Sequence, residues 1–214
     1  MPAGKGEFTM IKNVVFDFGQ VMIRFEAKYM VEQYVSDAED SALLQEVVFD
    51  RAYWNPLDTD DITDEEVIAK SCERLPERLH EAAATIYYNW IYNIPEMEGM
   101  RELIRDLKAT FGVKTCLLSD ISRYFSEHRH EIPILAELDQ LVLSADYKLA
   151  KPHRATFENL FAVCDIRPEE SIFIDDNPNN IAGAKACGMM GYCFDGDAAK
   201  LRTYLFELLS EKNA

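Results

Sequence analysis

Five short apolar runs constrain this chain more than any other feature: residues 12–18, 113–119, 140–144, 171–175 and 191–194. Most are continuous rather than alternating, the pattern of strands covered on both faces of a parallel sheet. Helical patterns separate the last four. EMEGMRELIRDLKAT precedes the second run, with Pro95 ahead of it as a start signal. RATFENLFAVC lies between the third and fourth. NPNNIAGAKACG follows the fourth, with Asn177 placed to cap, Pro178 in the first turn and Gly188 as the stop. The chain closes on DAAKLRTYLFELLSEK. Strands alternating with helices predict an α/β fold, a doubly wound, Rossmann-like parallel sheet.

Residues 24–94 break the rhythm with helical stretches and no convincing strand. Thr63 and Glu66 form a capping box that opens one of the helices. The expected organisation is therefore a disordered tail at 1–9 and an α/β core at 10–23 and 95–214. An all-helical insertion at 24–94 follows the first strand. MIKNVVFD from Met10 reads as a natural start, and MPAGKGEFTM offers no hydrophobic segment for secretion.

Charge narrows the partners. Lys plus Arg at 22 against Asp plus Glu at 38 gives −16, so nucleic acid and anionic membrane would be repelled. A phosphorylated small molecule remains compatible, because one metal ion and one lysine can set the local sign. The apolar stretches are too short for a membrane span. The five cysteines form no CxxC pair, which points to reduced, mostly buried thiols in a cytoplasmic protein. A monomer is the expected state.

Ligands of open parallel sheets bind at the carboxyl ends of the strands. Those ends carry Asp17, then Ser119 and Asp120, then Lys151 just beyond the third strand, then Asp175 and Asp176. Carboxylates gathered on one edge repel unless neutralised. A hard, oxygen-preferring dication such as Mg²⁺ would resolve that. Plainer readings stand beside this one. Asp175 and Asp176 are alternatively a helix-capping pair, Ser119 a turn residue, and Lys151 a surface lysine like Lys148. Tyr87, Tyr88, Trp90 and Tyr92 are expected mainly to pack the core of the insertion. His128 and His130 are expected at the solvated surface. His153 sits close enough in sequence to reach the site mouth, and Asp58 is a candidate substrate contact from the insertion.

Four motifs occur in order: FDFGQV at 16–21, LLSD at 117–120, Lys151-Pro152, and FIDDNPNN at 173–180. The chain in these respects resembles the haloacid dehalogenase-like (HAD) hydrolase superfamily, over nearly all of its length from Met10. The resemblance implies that Asp17 attacks phosphorus and carries a transient aspartyl-phosphate. It implies that Ser119 holds a phosphoryl oxygen and that Lys151 neutralises shared charge. Mg²⁺ would sit on Asp17, the Gly19 carbonyl and Asp176, with Asp175 supporting directly or through water. Asp120 and Asp58 join Ser119 and Lys151 as substrate-binding candidates, and the insertion becomes a cap that selects the leaving group.

Most phosphatases of that superfamily carry a second Asp where this chain has Gly19, and there it protonates the leaving group. Three readings follow from the glycine. A 2-haloacid dehalogenase would attack carbon without metal, but its carboxylate substrate would be repelled by Asp175 and Asp176. A non-catalytic binding protein would have little use for Asp17, Ser119, Lys151 and Asp176 together. A phosphatase with an easily displaced leaving group, or with a substitute acid such as Asp120, is favoured. The branch resembling sugar-1-phosphate phosphatases of the α-D-glucose-1-phosphate type shares the Asp-x-Gly form.

Overall fold

A computed structural model describes residues 10–92 and 94–210; the expected tail at 1–9 lies outside the described residues. The strands are β1 (Asn13–Phe16), β2 (Lys114–Ser119), β3 (Gln140–Leu143), β4 (Ser171–Asp175) and β5 (Met190–Cys193). They form one parallel sheet in the order β3-β2-β1-β4-β5, with β1 in the centre. This is a doubly wound α/β fold, and its register sets Phe16 beside Leu117 on one flank and Ile174 on the other.

Why the runs are continuous is visible in the layers. Successive strand residues point to opposite faces, and both faces are covered. Val15, Cys116, Leu118 and Phe173 pack on Phe157, Leu160 and Ile181, from helices α9 (Arg154–Cys164) and α10 (Pro178–Ala186). Val14, Phe16, Leu117 and Ile172 face the opposite way into the larger cluster. There they meet Leu103 and Leu107 of α6 (Met100–Phe111) and Leu201 and Leu205 of α11 (Ala198–Ser210). Of the cysteines, Cys116 and Cys164 are buried, but Cys193 is exposed because it ends the edge strand β5.

Among the described residues, five α-helices lie between β1 and α6: α1 (Ala27–Glu32), α2 (Ala38–Val48), α3 (Arg51–Leu57), α4 (Asp64–Arg74) and α5 (His80–Asn89). The capping box forms at α4, with the Thr63 hydroxyl accepting from Glu66 N–H at 3.2 Å and the Glu66 carboxylate accepting from Thr63 N–H at 2.8 Å. The apolar residues of these helices join the sheet's α6 face in one continuous cluster. Phe25 against Trp54 and Trp90, and Trp90 stacked on Phe125, carry that continuity, with ring centroids 5.2–5.9 Å apart. Two short helices, α7 (Arg123–His128) and α8 (Ser144–Tyr147), complete the chain after β2 and β3.

One helix start differs from expectation. α6 begins after Gly99, which takes φ 79° at the N-cap, rather than at Pro95. The intervening Glu96 forms a bridge with Ile23, and the Pro95 carbonyl accepts from Arg24 N–H at 2.9 Å. That backbone pairing holds the segment extended against the turn that follows β1. No helix among the described residues is long and apolar enough to cross a membrane.

Candidate active site

The four motif segments meet at the carboxyl edge of the sheet. Asp17 follows β1, and its N–H donates to the Ile174 carbonyl at 2.9 Å, which locks it beside Asp175. Lys151 reaches in from the loop after α8 and donates to Asp17 Oδ1 at 2.6 Å and Asp175 Oδ2 at 3.0 Å. Its side chain is only 3% exposed. Burial alone would lower this ammonium, yet Asp17, Asp120 and Asp175 hold it well above the ordinary lysine range. Lys151 is thus a buried, fixed cation, unlike the exposed Lys148, which bonds the Asp60 carbonyl.

Carboxylates outnumber that cation. Asp17, Asp175 and Asp176 each offer an oxygen within 4.8 Å of the others. Burial pushes the Asp17 carboxyl up to about 7, against the pull of Lys151 and with Asp175 adding to the rise. The two acids of the IDD segment differ in kind. Asp175 is fully buried, and protein donors hold both of its oxygens: Asn177 N–H at 2.8 Å and Asn180 at 3.2 Å on Oδ1, and Asn180 at 3.1 Å and Lys151 on Oδ2. Asp176 is exposed. Asn180 reaches both oxygens from the first turn of the helix that Asn177 caps, a placement the NPNN sequence signals.

A cavity of about 1110 Å³ opens above this edge, lined by Asp17, Gly19, Ser119, Asp120, Lys151 and Asp176 from the strand ends. Asp120 is held there by Lys151 N–H, which donates to its Oδ1 at 3.1 Å. Burial raises the Asp120 carboxyl, Lys151 opposing and Asp175 adding. Gly19 has an ordinary backbone, and a Cβ placed on it would meet only Phe25 Cβ, at 4.0 Å. The positive φ in this turn falls on Gln20 instead, at 57°.

From the helical segment, α3 turns Arg51, Asn55 and Asp58 toward the cavity, and Phe25, Trp54 and Trp90 form an apolar wall. Of these, only Asp58 and Trp90 were singled out in the sequence. Tyr87 is buried and donates to Asp64 at 2.7 Å, Tyr88 packs on Tyr124, and Tyr92 is exposed, so Trp90 alone of that stripe lines the cavity. His153 also lines it. His128 instead bonds the Tyr124 carbonyl at 2.8 Å, and His130 is exposed beside Glu131.

A parallel sheet with an acid, a hydroxyl, a buried lysine and an acidic pair at its carboxyl edge defines a class of α/β proteins that work at strand ends. The haloacid dehalogenase-like hydrolase family profile matches residues 11–188, and the chain belongs to that family. Pyrophosphatase PpaX from Bacillus cereus is 28% identical over 96 residues, 44% of this chain and 44% of that protein, so the match spans less than half of the relative's length. A HAD-like family hydrolase from Porphyromonas gingivalis superposes with a TM-score of 0.70 at 22% identity, over 94% of this chain and 98% of that one. A HAD family enzyme from Bacteroides thetaiotaomicron, solved with magnesium and inorganic phosphate, gives 0.66 at 20% identity over 89% and 98%. L-2-haloacid dehalogenase from Xanthobacter autotrophicus gives 0.61 at 16% identity over 85% and 76%. At these identities the structural likenesses establish the fold alone.

Proposed function

We propose that this chain is a magnesium-dependent phosphatase acting on a small phosphorylated metabolite, with a sugar phosphate favoured, through an aspartyl-phosphate on Asp17. The observation that carries the reading is the charge imbalance at the strand ends. Three carboxylates lie within reach of one another with a single buried lysine between two of them, and the third is exposed. Oxygen donors of this kind suit a hard dication. Asp17, the Gly19 carbonyl and Asp176 would hold it. The saturated hydrogen bonding of Asp175 suits a residue that orients Lys151 and the loop after β4, with any metal contact made through water. The ion would supply charge neutralisation on the phosphoryl oxygens.

The remaining roles belong to the chain itself. Asp17 attacks phosphorus, Lys151 stabilises the charge that gathers between them, and Ser119 and Asp120 orient the phosphoryl group. Helices α1–α5 act as the cap, whose apolar wall and polar α3 face receive the leaving group. The curated relative named a pyrophosphatase and the neighbour solved with inorganic phosphate support phosphorus as the centre attacked.

Gly19 keeps the dehalogenase alternative in view, since a 2-haloacid dehalogenase also lies among the structural neighbours. An exposed Asp176 beside Asp17 opposes it, because it would repel a carboxylate substrate. A non-catalytic binding protein is opposed by the buried ion pairs at Asp17, which are costly to hold without use. A screen of phosphorylated metabolites, inorganic pyrophosphate and 2-haloacids, each with Mg²⁺ and with chelator, separates the three. Magnesium-dependent phosphate release is expected. Chelator-resistant halide release, or silence across the panel, would overturn the proposal.

A further inference from the structure

Among the described residues, two buried side-chain atoms have no hydrogen-bond partner: Asp58 Oδ1 and Ser71 Oγ. Ser71 lies within α4, away from the cavity lining. Asp58 is 7% exposed and lines the cavity together with Asp17, Ser119 and Lys151. A buried polar atom left bare loses about 1–3 kcal/mol unless a ligand satisfies it. The residue is also rigidly placed, because it ends α3 with its N–H donating to the Trp54 carbonyl at 2.8 Å.

We propose that Asp58 is the proton donor to the leaving group, supplying from the helical segment the acid that Gly19 cannot provide. This rests on the phosphatase reading above. The surroundings favour the neutral acid. Burial, then Asp120, pushes the carboxyl up to about 8, with Asp17 adding and Arg51 and Lys151 opposing. Tyr87 is a further titratable neighbour. The carbonyl end of α3 adds a further unfavourable field for a carboxylate. Asp120 is less suited to the task, since its Oδ1 is taken by Lys151 N–H.

The protons balance over two steps. As Asp17 bonds to phosphorus and the P–O bond to the leaving group breaks, the Asp58 proton passes to the departing oxygen. The alcohol leaves, and Asp58 becomes a carboxylate. That carboxylate then takes a proton from the water that attacks phosphorus, which releases phosphate, restores the Asp17 carboxylate and reprotonates Asp58. The net reaction is ester plus water to alcohol plus phosphate.

General acid catalysis is worth about 10²–10⁴ in rate, mostly where the leaving group is basic. The test is kcat/KM for Mg²⁺-loaded wild type and Asp58→Asn on phosphates running from dinitrophenyl to simple alkyl. Wild type should show a shallow dependence on leaving-group basicity. In Asp58→Asn the dinitrophenyl-to-alkyl rate ratio should rise about 10²-fold or more. Asp58→Ala should regain alkyl phosphate turnover when formate is added. A steep wild-type slope overturns the proposal by itself, even if neither variant folds. A folded Asp58→Asn with an unchanged ratio also overturns it, leaving the phosphatase reading intact. A wild type inactive on every phosphate removes both.

Discussion

Replacing Lys151 by Met keeps the apolar stem, ends one atom short of the ammonium position and removes the charge, leaving Asp17 and Asp175 facing each other without the ammonium that lies 2.6 and 3.0 Å from them. With 3% of the lysine side chain exposed and none of Asp175, water cannot replace the lost partner at Asp175, whereas Asp17 borders the cavity and is partly relieved. Breaking a buried pair by removing one member typically destabilises by about 3–5 kcal/mol. With a urea m-value of about 2 kcal/mol/M, the unfolding midpoint should fall by about 2 M. The loss should be smaller at pH 5, where the orphaned carboxyls take up protons, and larger at pH 8. Magnesium should stabilise the variant more than the wild type, because the site then carries one positive charge fewer. The measurement is urea unfolding at pH 5 and pH 8, in chelator and in saturating Mg²⁺. A drop below about 1 kcal/mol at pH 8 in chelator would refute the argument. It would mean that the buried acids do not depend on this lysine.

Three further outcomes are expected. Asp176→Asn should weaken Mg²⁺ binding, read by calorimetry, while leaving the fold intact because Asp176 is exposed; unchanged affinity would remove it from the metal ligands. Gly19→Asp should fold, since its backbone is ordinary and a Cβ meets nothing nearer than 4.0 Å; with Mg²⁺ present its Tm should stay within about 4 °C of wild type. Asp58 makes stability depend on pH, because its carboxyl is raised from 3.8 to about 8 in the fold. The stability it contributes is full below its unfolded pKa and is lost as pH rises toward 8, by about 1.4 kcal/mol per unit. In chelator, Asp58→Asn should therefore gain on wild type between pH 4 and 8, and a gap that does not change with pH would contradict this.

The sheet was legible because strands buried on both faces must be apolar throughout, and because an acid ending such a run has few structural uses. Asp17 and Asp175 stand out from position for that reason, whereas Ser119 and Lys151 could be proposed only from their place beside those strand ends. What lay over them was not legible. Arg51, Asn55 and Asp58 share a face of α3, but nothing local in RAYWNPLD tells which face turns toward the sheet. The same limit applied to Tyr87, Tyr88, Trp90 and Tyr92, of which packing sends only Trp90 to the cavity. The false helix start at Pro95 has a different cause: a strong local signal was overridden by backbone pairing of Glu96 with Ile23, distant in sequence. At Gly19 the structure supports the reading taken from the sequence. Its backbone needs no glycine, so its significance is the side chain it lacks.

The central claim is that Asp17 is the nucleophile of a magnesium-dependent phosphatase. Phosphate release from an aryl phosphate by wild type and Asp17→Asn, each in Mg²⁺ and in chelator, tests it most directly. Release is expected only from wild type with Mg²⁺, with the variant folded and at least 10³-fold slower. Turnover by Asp17→Asn at a rate near wild type, or by wild type undiminished in chelator, would contradict the account.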